Sequence, residues 1–460
     1  MHLLPVTGNS SVGLRLGMAA FVLVMLLTAC VPGMAGGSPA RHDKNGPAID
    51  NSHPGRVPER PTVPPALTIP VEGFGFSPPA TFYLGHRFSM ASLDFLDEDR
   101  LLFTFRVPGL IHRQPKQTDD EGEERHIKAL VLGLPSGTVR AEAVWALHDR
   151  QRYLWMLKDG RFLIRDRNEL RLGDATLVLK PYLRFPGPVL GVGMDPAQEF
   201  LVTNSREPAT VAAEPGEVPS PSTAMAGLAS DNGNAKAGDS PPNLVVRILR
   251  RDTGQVMLVS RVRSEVHLPI NSSGYLELLP GRSTGWVVNL NRFSGGSSKL
   301  GEVDSNCTPN YNFISEREFL ISACTHSDLR SLVAMNTDGR KLWEVLPSSS
   351  PVWPLTVVNG DGSRLARESL AVNRPVTAFS SISFEDVKGQ TVEVFDAATG
   401  KIVLTAAANP PFDAGGNVAI SPSGKRVAVL SGGAIQVFDL PAPAVEPKDP
   451  GEAQASKSGP

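Results

Sequence analysis

Three cysteines, Cys30, Cys307 and Cys324, carry the most readily named chemistry in this sequence. A thiolate is a nucleophile and a metal ligand, and a pair of thiols can close a disulfide, so position must separate these uses. Cys30 follows an uncharged apolar stretch, Leu16 to Leu27, preceded by Arg15 and by no acidic residue. A run of about a dozen apolar residues is shorter than a bilayer span and suits the core of an export signal. Cys307 and Cys324 then remain as an even pair, which in an oxidising compartment predicts a disulfide. Cys324 ends the apolar run from Phe319, Cys307 precedes TPNYNF, and the segment 315–318 between them reads as a turn. A hairpin of that kind sets the two side by side, whereas the alternative is two separate buried thiols.

Other candidates are weaker. Gly281-Arg-Ser283-Thr-Gly285 has the G-x-S-x-G spacing that exposes a nucleophilic serine when a strand precedes it and a helix follows. Here WVVNLNRF follows and reads as a strand, so a hairpin turn is expected and Ser283 is not put forward as catalytic. Of the nine histidines, His2, His42 and His53 lie near the amino terminus and no two of the rest have close metal-ligand spacing. His112 and His126 flank a charged loop containing Asp119, Asp120, Glu121, Glu123 and Glu124, which reads as a solvated loop before a metal site. No metal, catalytic residue or cofactor is therefore expected.

Leu27, Thr28, Ala29 and Cys30 resemble the lipobox of bacterial lipoproteins. That resemblance implies lipid on the Cys30 thiol, cleavage just before it, and anchoring by two or more acyl chains, each buried CH₂ contributing about 0.8 kcal/mol. An ordinary secretory signal or an uncleaved anchor helix is the competing account. The address expected is the cell envelope, lipid-anchored and facing the periplasm or the exterior, with inner and outer membrane both open.

The elements that would position any site read as strands. Glycine (43) and proline (40) are too abundant for a helix-rich chain of 460 residues. Net charge is only −2, from 45 basic and 47 acidic residues, so no strong field recruits nucleic acid. Composition divides the chain into a signal peptide (1–29), a Pro- and Gly-rich tether (30–67), a folded body (68–440) and a polar tail (441–460). A Pro-rich insertion, 205–243, interrupts the body, and tether, insertion and tail are all expected to be disordered.

Two segment types recur in that body. One is a polar turn leading into an apolar strand: FLDEDRLLFTF from Phe95, MDPAQEFLVTN from Met194, FISEREFLISAC from Phe313 and ISPSGKRVAVL from Ile420. The other is a hairpin whose turn ends in glycine, at Gly137, Gly254, Gly339 and Gly400. Their alternation predicts an all-β chain of stacked four-stranded blades. ISPSGKRVAVLSGGAIQVFDL, preceded by FDAATGKIVL, resembles blades of the WD40 and YVTN-like β-propeller superfamily, although no Trp-Asp pair closes a blade. The resemblance implies a β-propeller of about seven or eight four-stranded blades, with Ala80 to His86 expected as the strand that completes the last one. It is poor over Leu170 to Pro188 and Val266 to Asn306. Two β-sandwich domains would also show short strands and Gly-rich turns, but the recurrence of one turn motif favours the ring. Gly339-Arg-Lys-Leu-Trp343 resembles the end of the docking motif of quinoprotein dehydrogenases, in which a Gly and a Trp four residues on pack adjacent blades.

The function expected is a membrane-tethered propeller that binds another envelope protein or a cell-surface component on one face of the ring. The alternative is a propeller enzyme, a quinoprotein-like oxidoreductase or a hydrolase or lyase, with its site at the central channel.

Overall fold

The computed structural model describes residues 63–76, 91–107, 124–148, 152–207, 244–263, 265–281, 285–324, 330–347, 355–374, 384–408, 417–431 and 433–444. They form a seven-bladed β-propeller of four-stranded antiparallel sheets, and in six of the blades the four strands are consecutive. We name the strands of a blade a to d in sheet order. Blades 1 to 6 occupy 91–147, 154–184, 189–262, 270–304, 310–345 and 355–408. Blade 7 takes strands a to c from 418–439 and strand d from Leu67–Pro70, which pairs antiparallel with Ala434–Asp439.

That pairing closes the ring through the start of the folded body, but with a different segment from the one expected. Ala80 to His86 lies outside the described residues. Leu67–Pro70 wins because LTIP alternates correctly: Ile69 enters the apolar cluster between blades 7 and 1, while Pro70 ends an edge strand, where its missing N–H costs nothing.

The core is distributed between the blades. Each of the seven seams has its own apolar cluster, from Phe103 and Leu430 between blades 1 and 7 to Val392 and Val427 between blades 6 and 7. Strand b shows why. In Arg100–Arg106 all five central residues are buried, because both faces of the sheet are covered. Leu101, Phe103 and Phe105 turn toward blade 7, and Leu102 turns toward blade 2. The outer strand Ser297–Asp304 instead alternates between half-buried or buried and exposed residues along most of its length.

All eight recurring segments fall into place. The four polar turns join strands a and b of blades 1, 3, 5 and 7, and the four glycine hairpins join strands c and d of blades 1, 3, 5 and 6. Gly339 and Gly400 show what the glycine does. Both have positive φ, 85° and 68°, and a Cβ on Gly339 would lie 2.3 Å from the Leu300 carbonyl oxygen of the preceding blade. The turn glycine thus lets one blade seat against another.

The resemblance fades in blades 2 and 4, and blade 2 uses other chemistry for the same geometry. In blade 2 the c–d turn is built on Asp174, whose Oδ1 accepts from Thr176 N at 2.8 Å and Thr176 Oγ1 at 2.6 Å. Leu177, not glycine, takes the positive φ of 62° and is buried against blade 1, where Trp145 Nε1 donates to its carbonyl at 3.1 Å. In blade 4 strand a is only Ile270–Asn271.

Two expected boundaries move. Ser205 and Arg206 belong to the strand Phe200–Arg206, and Ser205 and Glu207 are buried with Arg247, so the insertion in blade 3 begins after Glu207. At the other end Pro441–Ala444 is held against blade 6: Arg364 Nη2 donates to Pro441 O at 2.5 Å, and Ala444 N donates to Asp396 Oδ2 at 2.8 Å. The remaining tail, the insertion residues 208–243 and the tether up to residue 62 lie outside the described residues.

Arg206 and Leu244 are register partners, so the strands on either side of the insertion already lie side by side. Deleting 208–243 and bridging with a short Gly/Ser linker is expected to leave the thermal midpoint within a few degrees, since halving a loop changes closure by only about 0.6 kcal/mol. A deletion starting at Ser205 also removes the Ser205 and Glu207 bonds of Arg247 and is expected to melt well below it. Thermal unfolding followed by circular dichroism compares the two, and equal melting would contradict the assignment of Ser205 and Glu207.

Candidate functional site

Antiparallel order puts every a–b and c–d turn on one rim and every b–c and d–a connection on the other. The two rims are unlike. On the first, no connection is longer than 174–179. On the second lie 71–90, 107–124, 207–243 and 373–386.

The short-turn rim is tied shut. Gln198 Nε2 donates to Met156 O at 3.2 Å and its Oε1 accepts from Lys158 N at 2.7 Å, joining blades 2 and 3. Glu316 of blade 5 accepts from Ala197 N of blade 3 at 3.0 Å and from Ser272 N of blade 4 at 2.8 Å. Asn359 Nδ2 donates to Pro422 O at 3.1 Å across blades 6 and 7, and Ser423 N donates to Glu98 Oε1 at 2.7 Å across blades 7 and 1. The remaining two seams are backbone contacts too close for side chains: a Cβ would stand 3.0 Å from Leu96 O at Gly160 and 2.3 Å from Ile314 O at Gly362. Between blades 7 and 1 the same rim also holds an open depression lined by Glu98, Asp99, Lys425, Arg426 and Asp439.

The long-connection rim carries a disulfide and a row of charged side chains. Cys307 and Cys324 are bonded there, with Cα atoms 5.6 Å apart, in the d–a connection before blade 5 and at the end of its strand b. Ser305 supports them, since its Oγ accepts from Cys324 N at 2.9 Å and donates to Cys307 O at 2.6 Å.

A chain of alternating imidazoles and carboxylates runs across blades 1 and 2 on this rim. Asp166 Oδ1 meets His148 Nδ1 at 3.0 Å while its Oδ2 meets Arg171 at 3.1 Å. His148 Nε2 stands 3.8 Å from Glu124 Oε2, and Glu124 Oε1 meets His126 Nε2 at 3.2 Å. His126 thus pairs with Glu124, while His112, Asp119, Asp120, Glu121 and Glu123 lie outside the described residues. Among the described residues no group of three or more His, Cys, Asp or Glu is arranged to hold a metal ion.

Strand a of blade 1 and the connection before strand a of blade 4 carry two further polar groups. His267 enters blade 4 and its Nε2 donates to Tyr311 O at 2.8 Å; burial, offset in part by that bond and by Asn312, holds its pKa below the ordinary value. Asp94 on strand a of blade 1 accepts from Ser92 and faces Arg152, which precedes strand a of blade 2. Loss of hydration among the packed strands pushes the Asp94 carboxyl up and the Arg152 guanidinium down, and each opposes the other's shift. No short motif marks any of these residues, because each comes from a different strand or connection.

Other sequence candidates resolve simply. Gly281 and Gly285 sit in the hairpin between Gly274–Pro280 and Gly285–Arg292, with no helix after it, and Ser283 is outside the described residues. Leu27, Thr28, Ala29 and Cys30 are likewise outside them. Trp343 bridges blades 5 and 6, its Nε1 donating to Ala397 O at 2.7 Å.

No family model matches the chain, and no curated protein does. Among solved structures it is similar to a functionally unknown protein from Desulfotomaculum acetoxidans, with 13% identity and a TM-score of 0.39 over 69% of this chain and 90% of that one. It is also similar to Pyrococcus horikoshii acylaminoacyl peptidase, with 10% identity and a TM-score of 0.43 over 80% of this chain and 54% of the peptidase. Kluyveromyces lactis Hsv2p shows 10% identity and a TM-score of 0.34 over 62% of this chain and 73% of its own.

Proposed function

We propose that this protein is a lipid-anchored, extracytoplasmic propeller with WD40- and YVTN-like blades that binds another envelope protein or cell-surface component on its long-connection rim. The observation that carries the reading is the inequality of the rims. One has only short turns, several of which bond one another across the seams, and the other holds every long connection together with the Cys307–Cys324 bridge. Loops presented by a rigid ring are the usual place for recognition. The anchor rests on the sequence Leu27-Thr28-Ala29-Cys30.

Labelling cells with a clickable fatty acid tests the anchor. The wild-type protein is expected to take up label and partition into detergent, and Cys30→Ala to lose both; equal labelling of the variant contradicts the lipoprotein assignment.

The enzyme reading keeps one observation in its favour. Asp166, itself held by Arg171, orients the His148 ring, which is how a general base is set up. On that reading His148→Asn abolishes turnover of a substrate that the wild-type protein hydrolyses, whereas a binding rim leaves no turnover to lose.

A further inference from the structure

The seam between blades 1 and 2 contains a guanidinium that the fold positions without using up. Arg152 lies in the d–a connection on the long-connection rim, just before the innermost strand Leu154–Met156. Its Nε donates to Leu154 O at 3.1 Å, and its guanidinium carbon stands 5.5 Å from the centre of the Trp155 ring. The same ring carries Arg165, at 5.8 Å, whose Nη1 donates to Leu190 O. Arg152 is thus fixed by its Nε and by an indole that is itself buried.

Its two Nη groups have no hydrogen-bond partner among the described residues, and the side chain remains exposed. Asp94 faces it but makes no ion pair with it within 4.0 Å. The Tyr153 hydroxyl is taken by Thr104, at 2.6 Å. An exposed guanidinium stacked on an indole, with neither Nη group taken by a hydrogen bond among the described residues, is the planar fork that recognises an oxyanion through two parallel hydrogen bonds.

We propose that the Arg152 fork, at the seam between blades 1 and 2 on the long-connection rim, binds the carboxylate of a small ligand. A carboxylate fits better than a phosphate. Arg152 offers one charge, and a dianion would leave an excess negative charge facing Asp94. The groups around the site set a pH dependence. Asp94 is held toward its neutral form by burial, Tyr153 is pushed further up and stays neutral, and Arg152 and Arg165 are the cations. Protonating Asp94 removes the one negative charge opposed to the ligand, so binding tightens as pH falls through the titration of Asp94.

Ligand-observed NMR titration of the purified full chain with sodium acetate, and separately with inorganic phosphate, tests the site. Saturable acetate binding is expected. It should weaken at least tenfold in Arg152→Gln and less in Arg152→Lys, which keeps the charge and loses the fork. Asp94→Asn should bind at neutral pH at least as tightly as wild type and lose the pH dependence. No saturable acetate binding by the wild type, equal binding by Arg152→Gln, or tighter binding of phosphate than of acetate would each overturn the assignment.

Discussion

Glu207→Ala is expected to lower the unfolding free energy by about 3 to 5 kcal/mol, the cost of removing one member of a buried ion pair. Glu207 and Arg247 are 1% and 4% exposed. The carboxylate receives Arg247 through both oxygens, Nη2 to Oε2 at 2.9 Å, and receives Ser205 Oγ at 2.6 Å. Without it Arg247 keeps a buried charge beside Arg261, another cation that acts on the same carboxylate. The pair also predicts an acid dependence. Burial pushes the Glu207 carboxyl up, but the bonds from Arg247 and Ser205 bring it below its ordinary value. A group lowered on folding stabilises fully above the ordinary carboxylate range, and that contribution disappears as pH falls through the lowered value. Urea titrations at several pH values should show the wild type losing stability in that window and Glu207→Ala losing less there. A cost under about 1 kcal/mol would show that the pair is not the buried anchor described.

Trp343→Ala carries the second large effect, about 3 to 5 kcal/mol for removing a buried indole. Trp343 is 9% exposed, packs with Leu320 and Phe395 across blades 5 and 6, and donates to Ala397 O. Its ring also covers Gly400, where an added Cβ would lie 2.7 Å from Trp343 Cδ2 at a φ of 68°. Gly400→Ala alone is therefore expected to cost about 1 to 3 kcal/mol, from backbone strain and the clash together. In the Trp343→Ala background the clash is gone and only the strain remains. The double-mutant cycle should then show coupling of at least about 0.5 kcal/mol, and strict additivity would contradict the contact.

Gly400 and Gly339 illustrate how much of the fold could be read in advance. A glycine after Ser, Thr or Asp between two apolar runs is a local signal, and local signals named the hairpins of blades 1, 3, 5 and 6 correctly. Blade 2 escaped because Asp174 and Thr176 build its turn and Leu177 takes the left-handed conformation, a strain offset by burial against blade 1. The closing strand was misplaced for another reason. LTIP is four residues long and becomes a strand only by pairing with Ala434–Asp439, more than 360 residues away, a partner no local pattern can announce. Ser205 and Glu207 were read as part of a Pro-rich insertion because their partner, Arg247, lies beyond it in sequence. The same limit governs the candidate sites. Cys307 and Cys324 are close in sequence and could be paired on paper, whereas Asp94, Arg152 and Trp155, or Asp166, His148 and Glu124, converge only when blades stack.

The central claim is that recognition belongs to one rim. A photo-crosslinking residue placed at Arg263 or Glu265, both exposed on the long-connection rim, can be compared in the native envelope with one at Thr253, Asp338 or Lys401, exposed on the short-turn rim. The account predicts the same adduct from both positions of the first set and none from the second. An adduct from the short-turn positions alone, or equal adducts from both rims, would contradict it.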